Sequence, residues 1–163
     1  MLLSRLIPTL TLTLLLASCG FQLRSATVLP TEMERTYIAT DSRHSLFYRT
    51  LRARFRDNGV NLVDNPVDAT AIFNILDDST GQRVLSVSAR NIPREYEVYY
   101  HVRYNLQSGD NMLLESRQQI LTRDYTYDVT AVLGKAREEE LLREAIAADL
   151  VRVVLIQLSS AEQ

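Results

Sequence analysis

Between Tyr96 and Leu106 the chain alternates without a break. Tyr96, Val98, Tyr100, Val102, Tyr104 and Leu106 fall on one side of a two-residue period, and Glu97, Tyr99, His101, Arg103 and Asn105 on the other. Successive side chains of a strand point to opposite faces, so this run reads as a long strand with one buried and one wet face. Its neighbours carry the same period. Ala71, Phe73 and Ile75 alternate with Ile72, Asn74 and Leu76, and Val84 to Ala89 is strand-prone again. The intervening Asp77-Asp78-Ser79-Thr80-Gly81 is either a turn or a bulge within one long strand. Ser108-Gly109-Asp110-Asn111 has the composition of a hairpin turn. Residues 112–125 then return as a more polar strand, with Glu115, Arg117, Gln119 and Arg123 interleaved with Leu114, Ile120 and Leu121.

Two segments carry the helical period instead. Phe47, Leu51 and Phe55 recur at i, i+4 and i+8 and predict a helix over 43–57, capped by Asp41 or Ser42 and stopped by Gly59. Arg49, Arg52 and Arg56 share another face of it, read as solvated rather than as an anion site. Leu142, Ile146, Leu150, Val153 and Val154 predict a second helix over 137–158, with Glu138, Glu139 and Glu140 offsetting the positive end of its dipole. Thr36 to Thr40 is a short β-prone run, and Val60 to Val63 another before Pro66. The sum is an α+β two-layer sandwich: about four strands, mostly antiparallel, with two helices packed on one face.

The N-terminus constrains compartment rather than fold. Arg5 is the one charge before an apolar stretch, Leu6 to Ala17, which is too short to span a bilayer and fits a signal peptide. The stretch ends in Leu16-Ala17-Ser18-Cys19, and Cys19 is the single cysteine of the 163 residues. A thiol directly after a small-residue cleavage site is a lipobox. Residues 1–18 are expected to be removed and Cys19 to carry an S-diacylglyceryl group and an N-acyl chain. Each buried methylene contributes about 0.8 kcal/mol, so two or more chains hold firmly where one does not. Residues 19–35, broken by Pro30, read as a lipidated tether, and 36–163 as one domain. Gly20 follows the cysteine where aspartate would be expected to retain a lipoprotein at the inner membrane; by resemblance to sorted lipoproteins, the outer membrane is implied.

Removal of Arg5 with the leader takes the formal charge from −2 to −3, which does not suggest bulk nucleic-acid binding. Seventeen arginines accompany a single lysine, Lys135. No catalytic constellation emerges: there is no Gly-rich phosphate loop, no paired histidine at ligand spacing and no thiol left over for nucleophilic work. His44 and His101 lie on separate elements and read as ordinary surface or strand histidines. Asp77-Asp78 lacks companion ligands and reads as a turn rather than a metal site. The chain is therefore expected to bind rather than transform, without a metal or a cofactor beyond the lipid on Cys19.

The run from Leu16 to Arg24, with Cys19-Gly20-Phe21-Gln22-Leu23-Arg24 at its centre, resembles the start of the LPS-assembly lipoprotein family LptE. Gln22 stands where histidine is common in that family. Element order, the Arg90-Asn91 pair ahead of Glu95-Tyr96, and the Ala131 to Lys135 segment leading into an acidic helix extend the likeness over the expected mature chain. The resemblance implies a non-enzymatic lipoprotein that faces the periplasm, plugs the LptD β-barrel and helps deliver lipopolysaccharide to the outer leaflet. It further implies that Arg90, before the central strand, and Lys135, in a loop before the last helix, hold lipopolysaccharide. The polar residues of 112–123 and the Tyr99, His101, Arg103 row are the surfaces such a plug would turn to a polar lumen. A second reading is a lipoprotein chaperone, or pilot, for another secreted or outer-membrane protein, working by strand addition at a sheet edge.

Overall fold

The structure, a computed structural model, describes residues 28–126 and 132–160. Its elements run β1 (Arg35–Ala39), α1 (Leu46–Asp57), β2 (Asn61–Leu62), β3 (Ala71–Val87), β4 (Pro93–Ser108), β5 (Asn111–Thr126) and α2 (Val132–Ser159), with short 3₁₀ turns at Thr31–Glu34 and Pro66–Asp68. One sheet contains all the strands in the order β2-β1-β3-β4-β5. β1 lies parallel to β2 and β3, because α1 carries the chain back across the sheet between β1 and β2. The two long interfaces, β3–β4 and β4–β5, are antiparallel. The expected α+β sandwich with a mostly antiparallel sheet is what forms. The fifth strand is the two-residue β2, drawn from the Val60–Val63 run.

The period-two run does what its pattern dictates. Val98, Tyr100, Val102, Tyr104 and Leu106 are buried beneath the helices. Their neighbours on β3 shift register at Leu76 and again toward the tip, around Leu85 and between Ser86 and Val87. Ala71, Phe73 and Ile75 are buried, a bulge lies at Leu76, and from there Asp78, Thr80 and Gln82 pair with Val102, Tyr100 and Val98 on the helix side. Asp77-Asp78 is therefore not a turn; it continues one seventeen-residue strand through that bulge. The bulge aims Asp78 into the helix layer. There it accepts a hydrogen bond from Tyr100 Oη (2.8 Å) and another from Ser45 Oγ.

That contact also explains where α1 begins. The helix starts three residues later than the sequence predicts, with Ser45 as its cap in place of Asp41 or Ser42. Ser45 Oγ accepts from the Tyr48 N–H (3.0 Å) while donating to Asp78, so one hydroxyl ties the helix start to the sheet. At the other end Gly59, at φ 84°, supplies the left-handed residue that closes the helix. The Gly59 N–H donates to Arg56 O (2.9 Å) and the Val60 N–H to Phe55 O (3.0 Å).

α2 begins five residues earlier than its apolar stripe predicts. Glu138, Glu139 and Glu140 consequently lie in its second turn or beyond, not its first. Ile146, Ala147, Leu150, Val151, Val154, Leu155 and Leu158 are buried against β4, β5 and α1. Tyr104 Oη donates to Gln157 Oε1 (2.5 Å), fixing the helix along the sheet. At the centre of the core, Phe73 stacks on Tyr104 (5.4 Å between centroids) and meets Phe55 edge-on (5.5 Å). The described part of the expected tether packs as well: Pro30 and Met33 are buried, and Thr36 Oγ1 donates to Met33 O (2.8 Å). Among the described residues no helix is long and apolar enough to cross a membrane.

Candidate functional site

Both helices lie on one side of the sheet, and the other side is open. Residues paired across an antiparallel sheet share a face, so the register lays out this open surface. Arg83, Glu97 and Asp124 form one row; Gly81, Tyr99 and Thr122 the next; Ser79, His101 and Ile120 the third; Asp77, Arg103 and Gln118 the fourth. Arg83 Nε pairs with Glu97 (2.5 Å), and His101 Nδ1 lies 3.5 Å from Asp77 Oδ2. Tyr99 lies across Gly81 so closely that an added Cβ would meet its hydroxyl at 2.5 Å. The glycine makes room for the ring to lie flat on the face. The Tyr99, His101, Arg103 row thus sits on an uncovered surface, as its pattern predicts.

Of the polar residues of β5, Gln118, Thr122 and Asp124 join these rows, but the ones singled out by the alternation do not. Arg117, Gln119 and Arg123 pair with Tyr104, Val102 and Val98, which places them at the rim of the helix-bearing face. Arg123 reaches Asp149 of α2 (2.6 Å). The two surfaces proposed for one contact are separated, because paired residues share a face and these pair with core residues. Ile120, one of the apolar residues interleaved in this strand, is the β5 residue that lies beside His101, half-exposed at 52 %.

A second feature was not read from the sequence. β3 and β4 run on past β1 and meet at residues 88–92. The Ser88 N–H donates to Ile92 O (2.7 Å), the Asn91 N–H to Ser88 O (2.9 Å) and the Ile92 N–H to Ser88 Oγ (3.2 Å). Asn91 adopts φ 59°, a left-handed conformation that asparagine tolerates better than most residues. Arg90 is exposed in this tip. Around it Val84, Leu85, Val87 and Ile92 each keep 45–51 % of their surface in solvent. Arg83 and Arg94 flank them in the sequence. The signal was available as four apolar residues in nine positions beside a turn, but period two assigns half of any such run to a core.

Lys135 belongs to the first turn of α2 rather than to a loop before it. Its element starts near the end of the sheet at which the β3–β4 tip lies. Glu95, next to the tip, pairs with Thr126, the last residue of β5. Tyr125 beside it is pushed up in pKa by burial and by the nearby charges of Glu139 and Glu138 on α2. The topology thus brings Arg90 and the start of α2 to one end of the molecule. Cys19 and the leader lie outside the described residues. Asp77 and Asp78 are engaged by His101, Tyr100 and Ser45, and among the described residues no group of three or more His, Cys, Asp or Glu is placed to hold a metal.

Comparison with known proteins bears on this arrangement. The family model LptE, described as lipopolysaccharide-assembly, matches residues 33–158. The LPS-assembly lipoprotein LptE of Yersinia enterocolitica is 27% identical over 148 residues, covering 88% of this chain and 71% of its own length. Among solved structures, an uncharacterized lipoprotein B from Nitrosomonas europaea superposes with a TM-score of 0.71 at 29% identity, over 86% of this chain and 91% of that one. The rare lipoprotein B of Shewanella oneidensis gives 0.68 at 25% identity, over 78% and 96%.

Proposed function

The chain belongs to the LptE lipopolysaccharide-assembly family, and from that premise we propose that it is a lipid-anchored, non-catalytic subunit of the outer-membrane machinery that delivers lipopolysaccharide to the cell surface. Its partner in this reading is an LptD-type β-barrel, which it enters as a plug with Cys19 anchored in the inner leaflet. The open sheet face suits a polar lumen: apart from Gly81 and Ile120, the residues of its cross-strand rows are polar or charged.

The observation that carries the lipopolysaccharide part is the β3–β4 tip. An acylated, phosphorylated glycolipid offers apolar chains and anionic groups side by side. The tip offers half-exposed Val84, Leu85, Val87 and Ile92 together with the exposed guanidinium of Arg90. Guanidinium binds phosphate through paired hydrogen bonds. Lys135, from the helix that begins at the same end, adds a second cation. The family membership favours this reading over that of a chaperone for another exported protein.

The test has two arms. The purified chain is titrated with lipopolysaccharide, and Arg90→Glu with Lys135→Glu is expected to weaken binding at least about tenfold, the scale of one lost charge-assisted contact, with an unchanged circular dichroism spectrum. Undiminished binding would remove both residues from the site. Detergent extraction of native membranes is expected to recover the chain with a large β-barrel protein carrying heat-resistant strand structure. Recovery only as a monomer would overturn the plug. Mass spectrometry of the mature chain is expected to find acyl groups on Cys19 and no leader.

A further inference from the structure

At the opposite side of the molecule, where the sheet ends in its shortest strand, two arginines and two tyrosines converge. Tyr37 stands on β1, Arg43 in the turn before α1, and Tyr48 and Arg52 on the first two turns of α1. Arg43 Nη2 donates to Tyr37 Oη (3.2 Å) and Arg52 Nη1 to Tyr48 Oη (3.3 Å). Ile38, Leu62 and Val63 form an apolar wall behind them. The free space between these groups is about 10 Å³, roughly what one water-sized group requires.

The charge around this cleft is lopsided. Residues 43–56 contain five arginines and no aspartate or glutamate. Arg54 is paired to Asp57, whereas among the described residues Arg49 and Arg56 have no side-chain partner. The one carboxylate at the mouth is Asp64. It is 90 % exposed and stands 3.7 Å from Arg52 Nη2, beyond hydrogen-bond range. Asp64 thus lines the cleft at its exposed mouth, as one loosely held carboxylate against two guanidiniums. A tyrosine hydroxyl fixes each guanidinium and leaves its other N–H donors directed elsewhere.

We propose that this cleft is a receptor for a single carboxylate, presented by an aspartate or glutamate of a protein partner. A planar carboxylate takes two parallel N–H donors from a guanidinium. The free space admits one oxygen at the edge of an anionic group, which a flat carboxylate presents with less bulk behind it than a tetrahedral phosphate. The helix N-terminus beside the cleft is already occupied by Ser45, so the arginines themselves are the anion-binding groups. Arg49 and Arg56 extend the positive field along α1 and favour approach of an acidic segment. Docking here is independent of lipopolysaccharide binding at the β3–β4 tip.

The experiment follows the arginine side-chain NMR signals of the full chain in detergent while a glutamate-containing peptide, or inorganic phosphate at equal ionic strength, is added. Saturable shifts at Arg43 and Arg52 with the peptide, absent at Arg83 and Arg94, are the expected result. Arg43→Gln and Arg52→Gln are each expected to weaken the peptide about tenfold, the loss of one charge-assisted pair. Arg43→Lys, which keeps the charge and loses the planar fork, is expected to restore only part of it. Asp64→Asn removes the competing carboxylate and is expected to tighten binding. Equal shifts at all exposed arginines, phosphate binding at least as tightly as the peptide, or full binding by Arg43→Lys would each overturn the proposal.

Discussion

The two halves of the sheet share the same long strands and end up in opposite states. In the half nearest β1, the inward residues Phe73, Val102, Tyr104 and Leu106 are fully buried beneath α1 and α2. In the half that runs on to the β3–β4 tip, Val84, Leu85, Val87 and Ile92 remain about half in water. β3 breaks its alternation again around Leu85 and Ser86, and the cover over the strands differs as well. β1 ends after five residues and α1 begins at the level of Tyr100, so only the N-terminal part of α2 extends beyond that point. Apolar area near a core stabilises the fold, whereas the same area at an uncovered tip is available to a ligand or partner.

Substitutions can break this comparison or sharpen it. The largest effect is expected for Phe73→Ala, which empties the space between Phe55 and Tyr104 and should cost about 3–5 kcal/mol in urea unfolding. A cost below about 1 kcal/mol would mean that the covered half is not the stabilising one. Next is Tyr100→Phe. The Tyr100 hydroxyl accepts from the Phe47 N–H and donates to Asp78, and its loss leaves buried groups unsatisfied, at about 1–3 kcal/mol.

The covered half should also give the protein its alkaline limit. Burial pushes the Tyr104 hydroxyl from 10.0 up to about 12, with the Arg117 charge opposing, and raises Tyr100 further still. The folded state keeps these protons to higher pH than the unfolded chain. Their contribution is therefore complete below about pH 10 and lost as the pH climbs toward 12, on the order of 1 kcal/mol from Tyr104 by pH 11. Urea midpoints measured from pH 8 to 11 should fall along this slope, and Tyr104→Phe should flatten it. The smallest effect on stability is expected at the tip, where Val84→Ser and Ile92→Ser should each stay within about 0.5 kcal/mol yet weaken lipopolysaccharide binding. A large loss of stability there would erase the distinction between the halves.

Much of this architecture was legible one residue at a time. Phe47, Leu51 and Phe55 announced α1, and the Tyr96–Leu106 alternation announced β4 and its faces. The failures share a cause. The start of α1 moved because Ser45 bonds Asp78, a residue thirty-three positions away. Arg117, Gln119 and Arg123 were assigned to the open face because a lone strand does not reveal which of its sides pairs with a core. Arg90 was located by its motif, but its apolar surroundings were not, since exposure depends on how far the helices reach.

Local pattern thus determined the elements and the alternating faces of the long strands, since side-chain period and turn chemistry are properties of adjacent residues. Three things were decided by tertiary structure alone: the phase switch at Leu76, the exposure of the tip, and the meeting of Tyr37, Arg43, Tyr48 and Arg52 in one cleft. Each depends on contacts between residues distant in the chain, where the geometry of packing rather than the order of residues sets what a side chain meets.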